Sequence, residues 1–323
     1  MIIVRPFAHN DDEYAAVVAL ENEIWQEYPS TVDEWKHDDK VRDKKYWFHR
    51  FVALVDDKIV GLGSTGDVRW AHKPGKFYVQ VHVRPAFRQR GVGTALYEHG
   101  LAAIEKQPEP PRLLSSNTRE DQEAGLRFLT QRGFVQVMRY PVSELRVAAF
   151  DPSPYDAVVA RVRARGIEIM SLRTLAAQDP QWQRHVYDLC EKQIMPDVPL
   201  PDQYTPQTFE RFVNGFFENP NFNPDSIFVA RDGDRLVGTT GFWIPEAYNG
   251  TVYTMLTGVV RDYRRRNIAR ALKVHSLKFA RAFGATIVET DNEENNPMYQ
   301  INVQLGFTPR PAWIDFHKRL AAD

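Results

Sequence analysis

The sequence predicts two tandem domains of the α/β class, α+β in type, and three observations carry that prediction. First, residues 81–105, VHVRPAFRQRGVGTALYEHGLAAIE, read as a strand, a basic glycine turn and a helix. Val81 and Val83 alternate with Gln80 and His82 at strand period. Pro85 ends the ladder because it has no N–H to donate. From Ala95 onward Leu96, Leu101 and Ile104 share a helical face, with Ala95 and Ala102 beside it. Second, residues 257–280, TGVVRDYRRRNIARALKVHSLKFA, repeat this pattern. Third, two more landmarks recur in the same order at nearly constant separation. Phe51-Val52-Ala53 with Ile59-Val60-Gly61 answers Phe228-Val229-Ala230 with Leu236-Val237-Gly238, and Gly133-Phe134 answers Gly306-Phe307.

The elements follow in order. Residues 2–7 predict a strand, and 11–25 a helix with Tyr14, Val17, Val18 and Ile24 apolar and Asn10 or Asp11 as its cap. Residues 28–48 predict loop and a short helix. A hairpin of 51–55 and 58–64 turns on Asp56-Asp57. A strand near 66–71 leads through His72-Lys73-Pro74-Gly75 into the strand 77–83 and the basic turn. Then come a strand at 112–116, a helix at 121–130 stopped by Gly133, and a long strand or hairpin arm at 134–145. The join lies at Phe150-Asp151-Pro152-Ser153-Pro154, and 155–165 predicts a basic linking helix ended by Gly166. The second half predicts a strand at 166–175, helices at 181–193 and 208–217, and a hairpin around Asp232-Gly233-Asp234. The domain expectation is therefore 1–150, a linker at 151–165, and 166–323.

Composition narrows the function. The chain has 323 residues, 43% hydrophobic and 26% charged, which is globular and long enough for two domains. A net charge of −1 gives no global field to attract nucleic acid, so the arginine clusters point to a small anionic ligand. The single cysteine, Cys190, excludes an internal disulfide and reads as a buried thiol in a reducing cytoplasm. No apolar run is long enough to span a membrane, and MIIVRPF reads as a first strand rather than a signal peptide.

The basic turn suits a pyrophosphate. The first N–H groups of a helix lack intrahelical partners and carry the positive end of its dipole. Gly91 and Gly93 let a phosphate approach the backbone, while Arg88 and Arg90 add charge. Taken alone, the turn reads equally as a tight connection with solvated arginines. The second copy favours the ligand reading. Asn267 replaces Gly91 and Ala269 replaces Gly93, substitutions that a left-handed position and a close approach permit. No Gly-Lys-Ser/Thr follows either turn, so a nucleotide P-loop is excluded.

With these residues in view, the chain resembles the GCN5-related N-acetyltransferase (GNAT) superfamily. Val-x-Pro-x-x-Arg-x-x-Gly-x-Gly opening a helix, followed by a strand, a helix and Gly-Phe, carries the likeness in the first half. TGVVRDYRRRNIARALK and TDNEENNPMYQINVQLGF carry it in the second, which is similar to tandem bacterial members of the mycothiol synthase type. The resemblance implies a mixed, mostly antiparallel sheet flanked by helices in each half. It implies acetyl-CoA or another acyl-CoA as co-substrate, with no metal. The pyrophosphate is expected on Arg88, Gln89, Arg90, Gly91, Val92, Gly93 and Thr94, or on Arg264, Arg265, Arg266, Asn267, Ile268, Ala269 and Arg270. The pantetheine arm is expected along Val81 and Val83, or Thr257 and Val259, as an added strand. Asn292 and Asn296 match positions that line the CoA cleft, and equally suit turns after a strand.

Two departures from the family pattern bear on chemistry. The tyrosine that protonates the leaving thiolate in many members is replaced by Leu129 in the first half and Asn302 in the second. The glutamate found on the strand before the turn in some members is replaced by Phe77 and Tyr253. Acyl transfer to an amine needs a group to take the amine's proton and a donor for the thioester oxygen. Glu246, Tyr253 and Asn302 are the catalytic candidates in the second half, the favoured one, with Asp291 and Glu289 as further bases. In the first half His82 titrates near neutrality but alternates away from Val81 and Val83, and Asp67 is no stronger. Trp25, Tyr28, Trp35, Trp70 and Trp243 are candidates for an acceptor pocket, or for core. The expected activity is acetyl transfer to a primary amine of a small molecule or peptide. No nucleic acid or membrane partner is expected, and the chain reads as a monomer or homodimer. The alternative is a CoA-binding sensor or scaffold with one or both sites inactive.

Overall fold

A computed structural model describes residues 1–320. The first half runs β1 (Ile3–Pro6), α1 (Asp11–Ile24), α2 (Val32–Lys40), β2 (Phe48–Val55), β3 (Lys58–Asp67), β4 (Lys76–Val83), α3 (Val92–Ile104), β5 (Leu113–Arg119), α4 (Glu123–Thr130) and β6 (Val135–Arg146). Asn10 starts α1 by accepting from the Glu13 N–H at 2.9 Å. Thr31 and Glu34 close a capping box on α2. The β2–β3 hairpin reverses on Asp56 and Asp57, both at positive φ, a conformation aspartate tolerates. The strand expected near 66–71 is not found. β3 runs on to Asp67, and Arg69–Ala71 is a 3₁₀ turn closed by the Ala71 N–H on the Val68 carbonyl.

The second half runs α5 (Asp156–Ala164), β7 (Ile167–Ser171), α6 (Leu172–Gln178), α7 (Trp182–Tyr187), α8 (Phe209–Phe212), β8 (Ile227–Asp232), β9 (Arg235–Trp243), β10 (Thr251–Thr254), β11 (Gly258–Val259), α9 (Ile268–Phe283), β12 (Ile287–Asp291), α10 (Pro297–Gln304) and β13 (Thr308–Arg319). The strand expected over 166–175 ends at Ser171, whose hydroxyl accepts from the Thr174 N–H and so begins α6. The helices expected at 181–193 and 208–217 each pass into a wider π turn, at Asp188–Ile194 and Val213–Phe217.

These elements form two compact units, and neither is a continuous stretch of chain. One comprises Met1–Arg139, Pro201–Thr205 and residues 313–320; the other comprises Tyr140–Leu200 and Pro206–Ala312. In the first unit β1 to β4 pair antiparallel in order, β5 runs parallel to β4, and residues 313–319 of β13 close the sheet antiparallel to β5. Strand alternation on β2 sends Val52, with Leu62 of β3, to Val17 and Leu20 of α1 and sends Phe51 and Ala53 to Leu96 of α3, and a bulge in the β2–β3 register puts Val60 on the α3 face as well. Leu20 and Leu96 are fully buried, each worth about 1.5–3 kcal/mol. In the second unit β7, β8, β9 and β10 pair antiparallel, β10 and β12 pair parallel, and residues 142–146 of β6 pair antiparallel with β12. Both sheets are thus mixed and mostly antiparallel. Each is completed by a strand from the other half of the sequence.

Cys190 is buried, as read from the sequence, and burial pushes its thiol up to about 12. Among the described residues no helix is long and apolar enough to cross a membrane.

Candidate active site

The two basic turns fold alike. Gly91 caps α3 at φ 85°, and Asn267 caps α9 at φ 64°. Two residues earlier Gln89 and Arg265 also take positive φ, at 59° and 60°. The chain thereby aims the first N–H groups of each helix outward. Arg88 donates Nε to the Val83 carbonyl at 3.1 Å, and Arg264 donates Nε to Val259 at 3.0 Å. The first arginine of each turn therefore ties the turn to its strand. A side chain at Gly93 would stand 3.3 Å from Phe128, so glycine lets α4 close on the turn. Sequence reasoning missed Arg132 here. It stacks 3.6 Å over Phe128 and donates to Thr94 Oγ1 at 2.8 Å, which sets a further cation beside the helix terminus.

β4 and β5 pair only over Lys76–Tyr78 and Leu113–Ser115. Beyond that the strands part, and a cleft of about 370 Å³ opens between them. Val81, Val83, Arg88, Gln89, Gly91, Gly93 and Thr94 line it. Of the remaining predicted residues in this turn, Val92 is buried in the core and Arg90 is exposed. Gln80 spans the gap, accepting from Ser116 at 3.0 Å and donating to Asn117. Leu129 lines the cleft, as does Tyr97 from α3. The Tyr97 hydroxyl is buried without a hydrogen-bond partner among the described residues. Burial raises its pKa, opposed in part by the charge of Arg132.

His82 lines this cleft and also a second cavity of about 210 Å³. Its alternation away from Val81 and Val83 turns it toward α1, where Glu21 Oε1 meets Nδ1 at 2.6 Å. A carboxylate only accepts, so neutral His82 carries its proton on Nδ1 and leaves the lone pair on Nε2. Burial lowers the imidazole pKa and Arg88 lowers it further, but the charge and hydrogen bond of Glu21 outweigh both, and the net pKa is raised. Trp25 meets His82 edge-on at 5.9 Å and Trp313 at 4.9 Å, and Tyr28 lies 6.1 Å from Trp313. Trp35 lines the second cavity. Trp70 lies outside both, 39% exposed, and Trp243 packs on Phe216 in the second unit. Asp67 is structural, accepting from the Trp47 N–H at 2.7 Å. Glu21 carried one signal in the sequence: it is an acid on the helix face that also bears Val17 and Ile24.

In the second unit the matched turn is differently engaged. Asp197 takes hydrogen bonds from Arg261 and Arg264, which hold its carboxyl down to about 2. Arg270 is bound to Gln304, and Arg266 lies over Tyr263 and donates to the Asp262 carbonyl. Ile268 is buried, and Ala269 packs against the core of the unit. Val259 pairs with Gly238 in β11, and the Thr257 hydroxyl meets that of Thr240 at 2.8 Å. Glu246 is exposed on the loop after β9, its N–H held by Asn221. Tyr253 stands on β10 opposite Trp243 and Glu289. Asn302 is buried on α10 and donates to Asn292 Oδ1 at 2.6 Å, and its own Oδ1 has no partner among the described residues. Asn296 caps α10, accepting from the Met298 N–H at 2.9 Å. At the position matching Tyr97 stands Lys273, buried, with its ammonium driven down to about 7. At the position matching His82 stands Gly258.

A left-handed helix cap on a basic turn, built twice, and a parted sheet beside the first of them define an acetyltransferase fold in tandem. The Acetyltransferase (GNAT) family model matches residues 15–134 and 191–307, and the chain belongs to that family, with one match in each half. Its enzyme class is N-acetyltransferase, and the family's co-substrate is acyl-CoA. Among solved structures, the tandem GNAT protein from the clavulanic acid biosynthesis pathway is similar at 17% identity and a TM-score of 0.76, over 100% of both chains. The GCN5-related N-acetyltransferase from Sphaerobacter thermophilus is similar at 20% identity and a TM-score of 0.70, over 100% of this chain and 97% of that one. At these identities the likeness is one of fold. No curated protein matches the sequence.

Proposed function

We propose that the first unit transfers an acyl group, acetyl in the simplest case, from acyl-CoA to a primary amine by direct attack. The observation that carries this reading is His82, held by Glu21 where the parted-strand cleft meets a second cavity. The residues present fit the co-substrate. The edge of β4 beyond Tyr78 has lost its β5 partner and is ready to pair with a pantetheine arm. The N–H groups after Gly91, with Arg132 close by, suit a pyrophosphate.

In this reading His82 Nε2 takes a proton from the acceptor ammonium, the freed amine attacks the thioester carbon, and the carbon–sulfur bond breaks. A backbone N–H on the β4 edge receives the developing oxyanion. The thiolate takes its proton from the Tyr97 hydroxyl, in place of the family tyrosine whose position Leu129 fills, and the second proton lost by the attacking nitrogen restores the Tyr97 phenol. A phenol whose pKa burial has raised stays protonated until the thiolate forms.

One observation favours a second reading, with catalysis in the second unit through Glu246, Tyr253 and Asn302: the unpartnered Asn302 Oδ1. Against it stand Gly258 at the His82 position and Asp197 on the turn arginines. Calorimetric titration of acetyl-CoA into wild type, Gly91→Glu and Ala269→Glu separates the two. Binding lost only in Gly91→Glu supports the first unit. Binding lost only in Ala269→Glu overturns it.

A further inference from the structure

The second cavity has two chemically different ends. At one end His82 and Glu21 form the base pair described above. The other end is arginine-rich. Arg50 pairs with Asp39 through both terminal guanidinium nitrogens, at 2.6 and 3.1 Å. Arg42 reaches the same carboxylate at 3.2 Å. Tyr14 also donates to Asp39, at 2.8 Å, and His9 lies 3.6 Å from it. Two guanidiniums thus share the Asp39 carboxylate, and the neighbouring Asp38 carboxyl also feels the charge of Arg42. Arg42 lies flat on Phe48, 3.6 Å from the ring, and its buried Nε has no hydrogen-bond partner among the described residues. A buried guanidinium N–H without an acceptor is costly, and an anion supplied from the cavity would satisfy it.

The ends lie along one strand. Tyr78, Gln80 and His82 share a face of β4 and all line the cavity. Tyr78 sits in the field of Arg42 and Arg50, and His82 is four residues on, roughly 13 Å along a strand. The cavity therefore presents guanidiniums at one end and a carboxylate with an imidazole at the other.

Building on the first-unit reading, we infer that the acceptor is a zwitterion of amino-acid type, its amine at His82–Glu21 and its carboxylate at Arg42. The spacing suits a chain longer than an α-amino acid, of dipeptide or ω-amino-acid length. The opposed charges also set the direction of entry, because a reversed zwitterion would place like charges together at both ends.

The test uses the full-length protein saturated with acetyl-CoA and three probe pairs: glycine and methylamine, glycylglycine and its decarboxylated amide, 6-aminohexanoate and pentylamine. Binding is read by calorimetry and turnover by release of free CoA. At least one of the two longer carboxylates is expected to exceed its decarboxylated partner by tenfold or more in Kd and in kcat/KM, and Arg42→Gln should bring that ratio toward one. Acetyl-CoA binding serves as the folding check for the variant. Wild-type ratios near one in every pair, in binding as in turnover, overturn the inference whatever the variant does. A ratio that survives Arg42→Gln in folded protein overturns the assignment to Arg42. Selective binding of a carboxylate without turnover would leave the inference standing and count against His82 catalysis, so the two failures are distinct.

Discussion

His82 and Lys273 show how single residues here draw their chemistry from long-range partners. His82 must be neutral to take a proton, so kcat/KM is expected to rise with pH through its raised pKa. Glu21→Gln removes the charge that raises it, leaving burial and Arg88 to pull it down. The acid limb of the pH profile should then move to lower pH, while the rate at pH 8 falls because a neutral amide oxygen holds the ring, and stabilises the imidazolium it becomes, less strongly than the carboxylate does. An acid limb that stays in place would remove His82 from the mechanism. Lys273 is a matter of stability. Its folded pKa of about 7 lies below the ordinary 10.5, so between these values the unfolded chain holds the extra proton. Stability therefore climbs with pH across that window, and below pH 7 the buried charge weighs in full. Lys273→Met is expected to raise Tm at pH 7 by roughly 5 °C or more and to flatten the climb. Thermal melts at pH 6.5, 8 and 9.5 read both effects.

At the scale of elements, the paired turns share their backbone and differ in what surrounds them. Positive φ at Gly91 and Asn267 was legible, because few residues suit that conformation and both sequences supply one. Asp197 was not legible as a partner of Arg264, since it lies far away in sequence. Its carboxylate occupies Arg264, one of the residues the sequence offered to a phosphate. Asp197→Asn is therefore expected to create or strengthen acetyl-CoA binding at the second turn, by about tenfold, seen as a second calorimetric event that Ala269→Glu abolishes. Tyr97 belongs to the same lesson. The sequence marks the missing tyrosine before Gly-Phe, but only the packing of α3 brings another hydroxyl into the cleft. Tyr97→Phe should lower kcat about tenfold to a hundredfold and leave the acetyl-CoA Kd unchanged.

At the scale of the molecule, the repeat in the sequence and the compact units are not the same partition. The strand partner of β5 comes from residues 313–319, and Trp313 of that strand packs on Trp25 beside His82. The short segment Pro201–Thr205 also belongs to the first unit, where Asp202 pairs with buried Lys76 and lies 3.4 Å from His317. Removing Asp202 would leave the buried ammonium without its hydrogen-bonded carboxylate, a change that costs several kcal/mol. A fragment of residues 1–150 lacks both pieces. It is expected to show no cooperative melt and no acetyl-CoA binding, whereas adding a peptide of residues 308–320 should restore part of each. A fragment that binds acetyl-CoA with full affinity would show the late strand to be dispensable.

What the sequence determined by itself is local or periodic: the alternation of strands, the helix caps, the two glycine-type turns and their repetition. These depend on residues within a few positions of one another, so the pattern and its chemistry are written together. Only the tertiary structure decided which strands close each sheet, that Glu21 reaches His82, and that Arg42 and Arg50 share Asp39. Such contacts join residues distant along the chain. Burial, not spacing, fixes which charges they oppose and how strongly.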